Sequence, residues 1–100
     1  MIAAEQMKRP QLVLVVDDME INRDVLGLIL EDTYEVVYAE DGAEALRLIE
    51  DLRDRLSIVL LDLIMPVMDG FEVLARVRGD EDLRHIPVIV LTAERSAELK

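Results

Sequence analysis

Four residues with side-chain oxygens follow short apolar runs of the sequence, and three of them are carboxylates. Asp17 and Asp18 come directly after Leu12–Val16, while Asp62 and Thr92 each end a later run. If these runs are neighbouring strands of a parallel sheet, the residues lie outside its carboxyl edge, where open α/β sheets bind ligands. Three carboxylates held close together repel each other, and a hard divalent cation such as Mg²⁺ relieves that repulsion. The spacing therefore predicts a metal site formed by the three aspartates.

The elements that must position these side chains alternate along the chain. Four short β-branched or aliphatic runs have strand length, and amphipathic stretches separate them. The predicted strands are Leu12–Val16, Glu35–Ala39, Ser57–Leu61 and Pro87–Leu91. The predicted helices are Glu20–Glu31, Ala43–Arg55 and Gly70–Arg78, and Glu94–Lys100 opens a fourth. This βαβαβαβ alternation predicts a parallel α/β sheet with right-handed crossovers.

Two of the predicted helices begin with a capping signal. Asp41 with Glu44, and Asp69 with Glu72, have capping-box spacing with aspartate as the cap. The first helix carries its apolar residues on one stripe, formed by Ile21, Val25, Leu28 and Ile29. A stripe of this kind is typical of a helix that packs one face on a core.

The composition describes one acidic domain with an aliphatic core. Isoleucine, leucine and valine supply 36 of the 100 residues, aromatic residues supply 3%, and the formal net charge is −11. Such a charge repels a phosphate backbone and anionic lipid, so neither nucleic acid nor a membrane is an expected partner. The longest apolar run, Leu12–Val16, is far shorter than the roughly 20 residues of a membrane span. The lack of cysteine excludes disulfides and fits a cytoplasmic location.

Three ordered motifs resemble those of the receiver domains of bacterial two-component response regulators. They are Val15–Asp18, Leu61–Gly70 and Pro87–Ala93, and Asp17–Arg23 also resembles receivers in hybrid kinases. The resemblance covers about residues 11–100, with residues 1–10 as an N-terminal lead-in. It implies a flavodoxin-like, receiver-type parallel sheet with strand order 2-1-3-4 that lacks the C-terminal fifth strand and fifth helix.

The resemblance also implies a role for each site residue. Asp62 would accept a phosphoryl group from a sensor histidine kinase, a phosphotransfer protein or a small phosphodonor. Asp18 would bind Mg²⁺ directly, Asp17 mostly through water, and the backbone carbonyl of Ile64 would complete the protein ligands. The Thr92 hydroxyl would contact a phosphoryl oxygen and switch a loop between two states. The chain would then be a signalling module that controls an output, and not a metabolic enzyme.

The chain departs from the family pattern near its C-terminus. It stops at Lys100, inside the expected fourth helix, so the fifth strand and its phosphoryl-contacting lysine are missing. Neither Lys100 nor Lys8 is placed to take that role. A fragment of a longer regulator is favoured over a truncated domain with impaired switching. Without a fifth strand, Pro87–Leu91 becomes an apolar edge, which predicts self-association or low stability.

Each site residue also has a purely structural interpretation. Asp17 and Asp18 could cap the helix that follows them, and Thr92 could simply end a strand. Asp62 could be an idle loop residue, but an unpaired charge beside a buried strand is costly. Two adjacent aspartates that point at a third favour the functional interpretation.

Three other functions compete with the phosphoacceptor. A degenerate receiver could serve only as a docking module, which the missing lysine favours and the retained site residues oppose. A Mg²⁺-dependent phosphohydrolase of the haloacid-dehalogenase pattern would carry two aspartates two residues apart after one strand, whereas Asp17 and Asp18 are adjacent. A flavin-binding domain would need a phosphate loop rich in serine, threonine and glycine after the first strand, where Asp18–Asn22 offers acid.

Overall fold

The parallel sheet is built around its most apolar strand. A computed structural model describes residues 10–65 and 68–91, which form four strands and three helices. The elements are β1 (Leu12–Val16), α1 (Glu20–Leu30), β2 (Glu35–Ala39), α2 (Gly42–Asp51), β3 (Leu56–Leu61), α3 (Gly70–Gly79) and β4 (Val88–Val90). The strand order is β2-β1-β3-β4, which confirms the predicted order. Every residue of β1 is buried, as expected for a central strand covered on both faces.

The strand register brings the carboxyl ends together at one edge. Val16 pairs with Ala39 of β2 on one side and with Leu61 of β3 on the other. The ladder continues one residue further, because the Asp17 N–H donates to the Ala39 carbonyl at 3.1 Å and the Asp62 N–H to the Val16 carbonyl at 3.0 Å. The backbone itself therefore places the first residue after β1 beside the first residue after β3.

The main core lies between the sheet and helices α2 and α3. Alternate residues of β1 contribute to it together with Ala45 and Ile49 of α2 and Val73 and Val77 of α3. Both helices begin with the predicted caps, since Asp41 accepts from the Glu44 N–H at 2.8 Å and Asp69 from the Glu72 N–H at 3.1 Å. These caps satisfy N–H groups that have no partner within the helix.

The apolar stripe of α1 does not pack on a core within the described residues. Its members are exposed to between 48% and 79%: Ile21, Val25, Leu28 and Ile29. The helix instead turns its opposite side to the sheet, where Gly27 is buried and Leu26 and Leu30 are half-buried. Gly27 permits a close approach, because a Cβ there would collide with the hydroxyl of Tyr38. The helix prediction is confirmed, and among the described residues the side that packs on the sheet is the one opposite the predicted apolar stripe.

Several element ends differ from the predictions. Helix α2 ends at Asp51 rather than Arg55, and the Leu52 carbonyl then accepts from the N–H groups of Arg55 and Leu56 at 2.8 and 2.9 Å. Strand β4 is one residue shorter than predicted at each end. The predicted lead-in and the predicted fourth helix, Glu94–Lys100, lie outside the described residues, and the domain boundary at residue 11 stays a prediction. Among the residues that are described, no helix has the length and hydropathy needed to cross a membrane.

Candidate metal centre

Three carboxylates meet at the carboxyl edge of the sheet, as the sequence predicted. Asp17, Asp18 and Asp62 each offer one oxygen, and these oxygens all lie within 4.8 Å of one another. Asp17 is buried, Asp62 is half-buried and Asp18 is exposed, so the cluster opens to solvent on one side. Several hard oxygen donors at this spacing suit a divalent cation that keeps some of its water ligands.

Asp62 is fixed by the loop that follows β3. The N–H of Ile64 donates to Asp62 Oδ1 at 3.0 Å, and the N–H of Gly70 donates to the Leu63 carbonyl at 3.0 Å. A Cβ on Gly70 would collide with the Asp62 carbonyl and lie 2.5 Å from Leu63 Cα. Only glycine therefore lets the start of α3 approach this loop, and the loop in turn fixes the Asp62 carboxylate.

Asp17 is held by three donors, one from the residue before α1 and two from the first turn of that helix. Its Oδ1 accepts from the Met19 N–H at 3.0 Å, and its Oδ2 accepts from the Asn22 side-chain amide at 3.1 Å. Its backbone carbonyl accepts from the Arg23 guanidinium at 2.8 Å. The N-cap of α1 is Met19, so neither aspartate occupies the capping position that the structural interpretation proposed.

Asn22 and Arg23 were not predicted as site residues. Both belong to the segment Asp17–Arg23 that carries the resemblance, but the sequence pattern assigned no role to either. The available signal was their place in the first turn of a helix that starts three residues after Asp17. Polar side chains at that place can reach back to the end of the preceding strand.

The structure does not place every predicted site residue. Thr92, Lys8 and Lys100 lie outside the described residues. The role of Thr92 as the switch hydroxyl therefore stays a prediction. Ile64 lies beside Asp62 through its N–H group, while metal binding by its carbonyl also stays a prediction. His85 is exposed in the segment before β4, as expected for a solvated loop residue.

Comparison with known proteins shows similarity to response regulators. A family model described as response regulator receiver domain matches residues 13–100. Response regulator PleD of Caulobacter vibrioides is 45% identical over 82 residues, which are 81% of this chain and 18% of PleD. The chain therefore spans less than a fifth of that relative.

Solved structures show the same fold. The N-terminal domain of a response regulator receiver protein from Methanoculleus marisnigri JR1 is 36% identical with a TM-score of 0.73, covering 87% of this chain and 74% of that chain. The Mn²⁺-bound form of response regulator Rcp1 is 28% identical with a TM-score of 0.73, covering 87% of this chain and 70% of that chain. A manganese-bound relative and the three clustered aspartates together fit divalent-cation binding.

Proposed function

Because the chain belongs to the response regulator receiver family, it is a phosphoacceptor signalling module, and we propose that Asp62 accepts the phosphoryl group with Mg²⁺ as the cation. The observation that carries this proposal is the convergence of Asp17, Asp18 and Asp62 within 4.8 Å. Asp62 is the member that directly follows β3, with its backbone N–H bonded to β1 and its carboxylate to the Ile64 N–H. A nucleophile held in this way loses little orientational freedom when it meets the phosphodonor.

In the proposed reaction, a carboxylate oxygen of Asp62 attacks phosphorus in a phosphohistidine or a small acyl phosphate. The new P–O bond forms as the bond from phosphorus to the donor atom breaks, and the leaving group keeps the electron pair. A bound Mg²⁺ would neutralise negative charge on the carboxylates and phosphoryl oxygens. Asp18 would hold it directly, Asp17 mostly through water, and the Ile64 carbonyl would complete the protein ligands. The Thr92 hydroxyl would then contact the phosphoryl group.

We propose two kinds of protein partner. A sensor histidine kinase or a phosphotransfer protein would supply the phosphoryl group, in the cytoplasm. A second copy would associate through the outer edge of β4, which pairs with β3 on one side only in the described part of the chain. Ile89, Val90 and Leu91 are 48%, 41% and 40% exposed along this edge. An apolar strand with open hydrogen-bonding groups recruits other chains.

The phosphoacceptor is tested by intact mass after incubation with a small acyl phosphate and Mg²⁺. We expect the chain to gain a single phosphoryl group. The gain should disappear in Asp62→Asn and persist in Asp54→Asn, which neutralises an exposed aspartate after α2. Equal modification of Asp62→Asn and the unaltered chain would contradict the assignment, as would no modification of either.

A further inference from the structure

We propose that Asn22 is a positioning residue for the metal centre, because its side-chain amide fixes the orientation in which Asp17 faces the cation. The inference rests on the proposed function, since it requires Asp17 to serve a metal. Asn22 lies outside the carboxylate cluster, and its proposed role requires no contact with the phosphoryl group or the metal. The effect of Asn22 on the cation is indirect, because it acts through its hydrogen bond to Asp17, which itself would hold the cation mostly through water.

The contacts of Asp17 single out Asn22. One carboxylate oxygen, Oδ1, accepts from the Met19 backbone N–H at 3.0 Å, a bond that any residue except proline can provide at position 19. The other oxygen, Oδ2, accepts from Asn22 Nδ2 at 3.1 Å, so its position depends on the side chain at position 22. With both oxygens held, rotation of the carboxylate is restricted. Removing the amide would release one of the two restraints.

Arg23 does not orient the Asp17 carboxylate, although it directly follows Asn22 in the sequence. Its guanidinium donates to the backbone carbonyl of Asp17 at 2.8 Å and so fixes the main chain rather than the carboxylate. The amide of Asn22 is also neutral, so it orients Asp17 without competing with a cation for its charge. Partners of this kind orient metal ligands in proteins, and their loss costs about 10- to 100-fold in metal affinity.

Asn22 has little to contribute to folding. It is exposed on the first turn of α1 and belongs to no core cluster, whereas Asp17 is only 5% exposed. Substitution of an exposed residue outside the core changes stability little, apart from the loss of its hydrogen bond to Asp17. A fall in metal affinity without a fall in the melting temperature of the metal-free protein therefore separates positioning from a structural role.

The experiment compares four variants by Mg²⁺ titration, followed through the backbone amide shifts, and by thermal unfolding without metal. Asn22→Leu keeps the approximate shape and removes the donor, and we expect its affinity to fall about tenfold or more. Asn22→Gln keeps an amide and should recover most of that loss. Leu28→Asn makes the reverse exchange at an exposed position of the same helix and should bind normally. Asp18→Ala removes a proposed ligand and should lose binding.

The outcomes distinguish this inference from the function on which it rests. If Asn22→Leu binds like the unaltered chain while Asp18→Ala does not, Asn22 has no positioning role and the metal centre stands. If Asn22→Gln is as weak as Asn22→Leu, the amide is not the cause and the inference is overturned. If Asp18→Ala also binds normally, the metal centre itself is wrong.

Discussion

At the scale of single residues, the phenol of Tyr38 lies across α1 and donates a hydrogen bond to Glu31 Oε2 at 2.6 Å. This bond, with burial and the nearby carboxylates of Glu31 and Asp24, raises the pKa of Tyr38 to about 12 from 10.0. Because the folded-state pKa is the higher one, the stability that the pair contributes is present below about pH 10 and is lost as the pH rises through 12.

The prediction is that Tyr38 ionises near pH 12 and that Glu31→Gln brings its pKa back toward 10. Ultraviolet titration in a Tyr34→Phe background measures Tyr38 alone, because the chain has two tyrosines. The same background without the Glu31 substitution is the control. An unchanged titration in Glu31→Gln would show that the negative charge of Glu31 is not a cause of the raised pKa of Tyr38.

Single residues also show what the sequence could predict. The aspartate trio follows from position alone, because parallel strands end at one edge and each aspartate comes directly after a strand. The bond from Asn22 to Asp17 could not be predicted in this way. It depends on where α1 begins and on the helix rotation that turns position 22 toward β1. Those quantities are set by packing rather than by local pattern.

At the scale of elements, the junction between the Asp62 loop and α3 depends on one glycine. A methyl group on Gly70 would collide with backbone atoms of Asp62 and Leu63, which cannot move without moving β3. We therefore expect Gly70→Ala to destabilise the fold by about 1–3 kcal/mol, as overpacking does, and to weaken Mg²⁺ binding. Gly79→Ala is the matched control at the other end of the helix, since no atom of the described residues lies within 4 Å of its Cβ position.

Chemical denaturation and Mg²⁺ titration measure both effects. Gly79→Ala should leave metal affinity unchanged and raise stability by up to about 1 kcal/mol, since alanine has the higher helix propensity. If the two alanine variants had equal stability and equal metal affinity, the close contact at Gly70 would have no consequence for the site.

Elements also show where sequence patterns stop being informative. Periodicity predicted that α1 is a helix, and the helix forms within one residue of the predicted span. Periodicity could not tell which side packs, because Gly27 contributes no hydrophobicity yet lies buried on the side that faces the sheet. Similarly, Phe71 of α3 is 58% exposed while Val73 and Val77 are buried. The buried side of a helix depends on its neighbours.

At the scale of the whole molecule, the strong negative charge disfavours the self-association that the exposed apolar edge of β4 favours. The formal net charge of −11 makes two copies repel each other, while the β4 edge and its surroundings favour contact. A groove of about 310 Å³ reaches β4, and its lining includes Val13, Leu30, Ile58, Leu60 and Ile89. Association should therefore be weak when charges act over long distances and stronger when salt screens them.

The last prediction concerns this balance and is measured by sedimentation at several protein and salt concentrations. The screening length falls from about 10 Å at 0.1 M salt to about 3 Å at 1 M, so the average mass should rise with salt. Ile89→Lys should suppress the rise, because lysine on an edge strand discourages pairing. Phe71→Lys adds the same charge at another exposed apolar residue, on α3, and should leave most of the rise in place. A monomer at every salt concentration, or equal suppression by both variants, would show that β4 is not the contact.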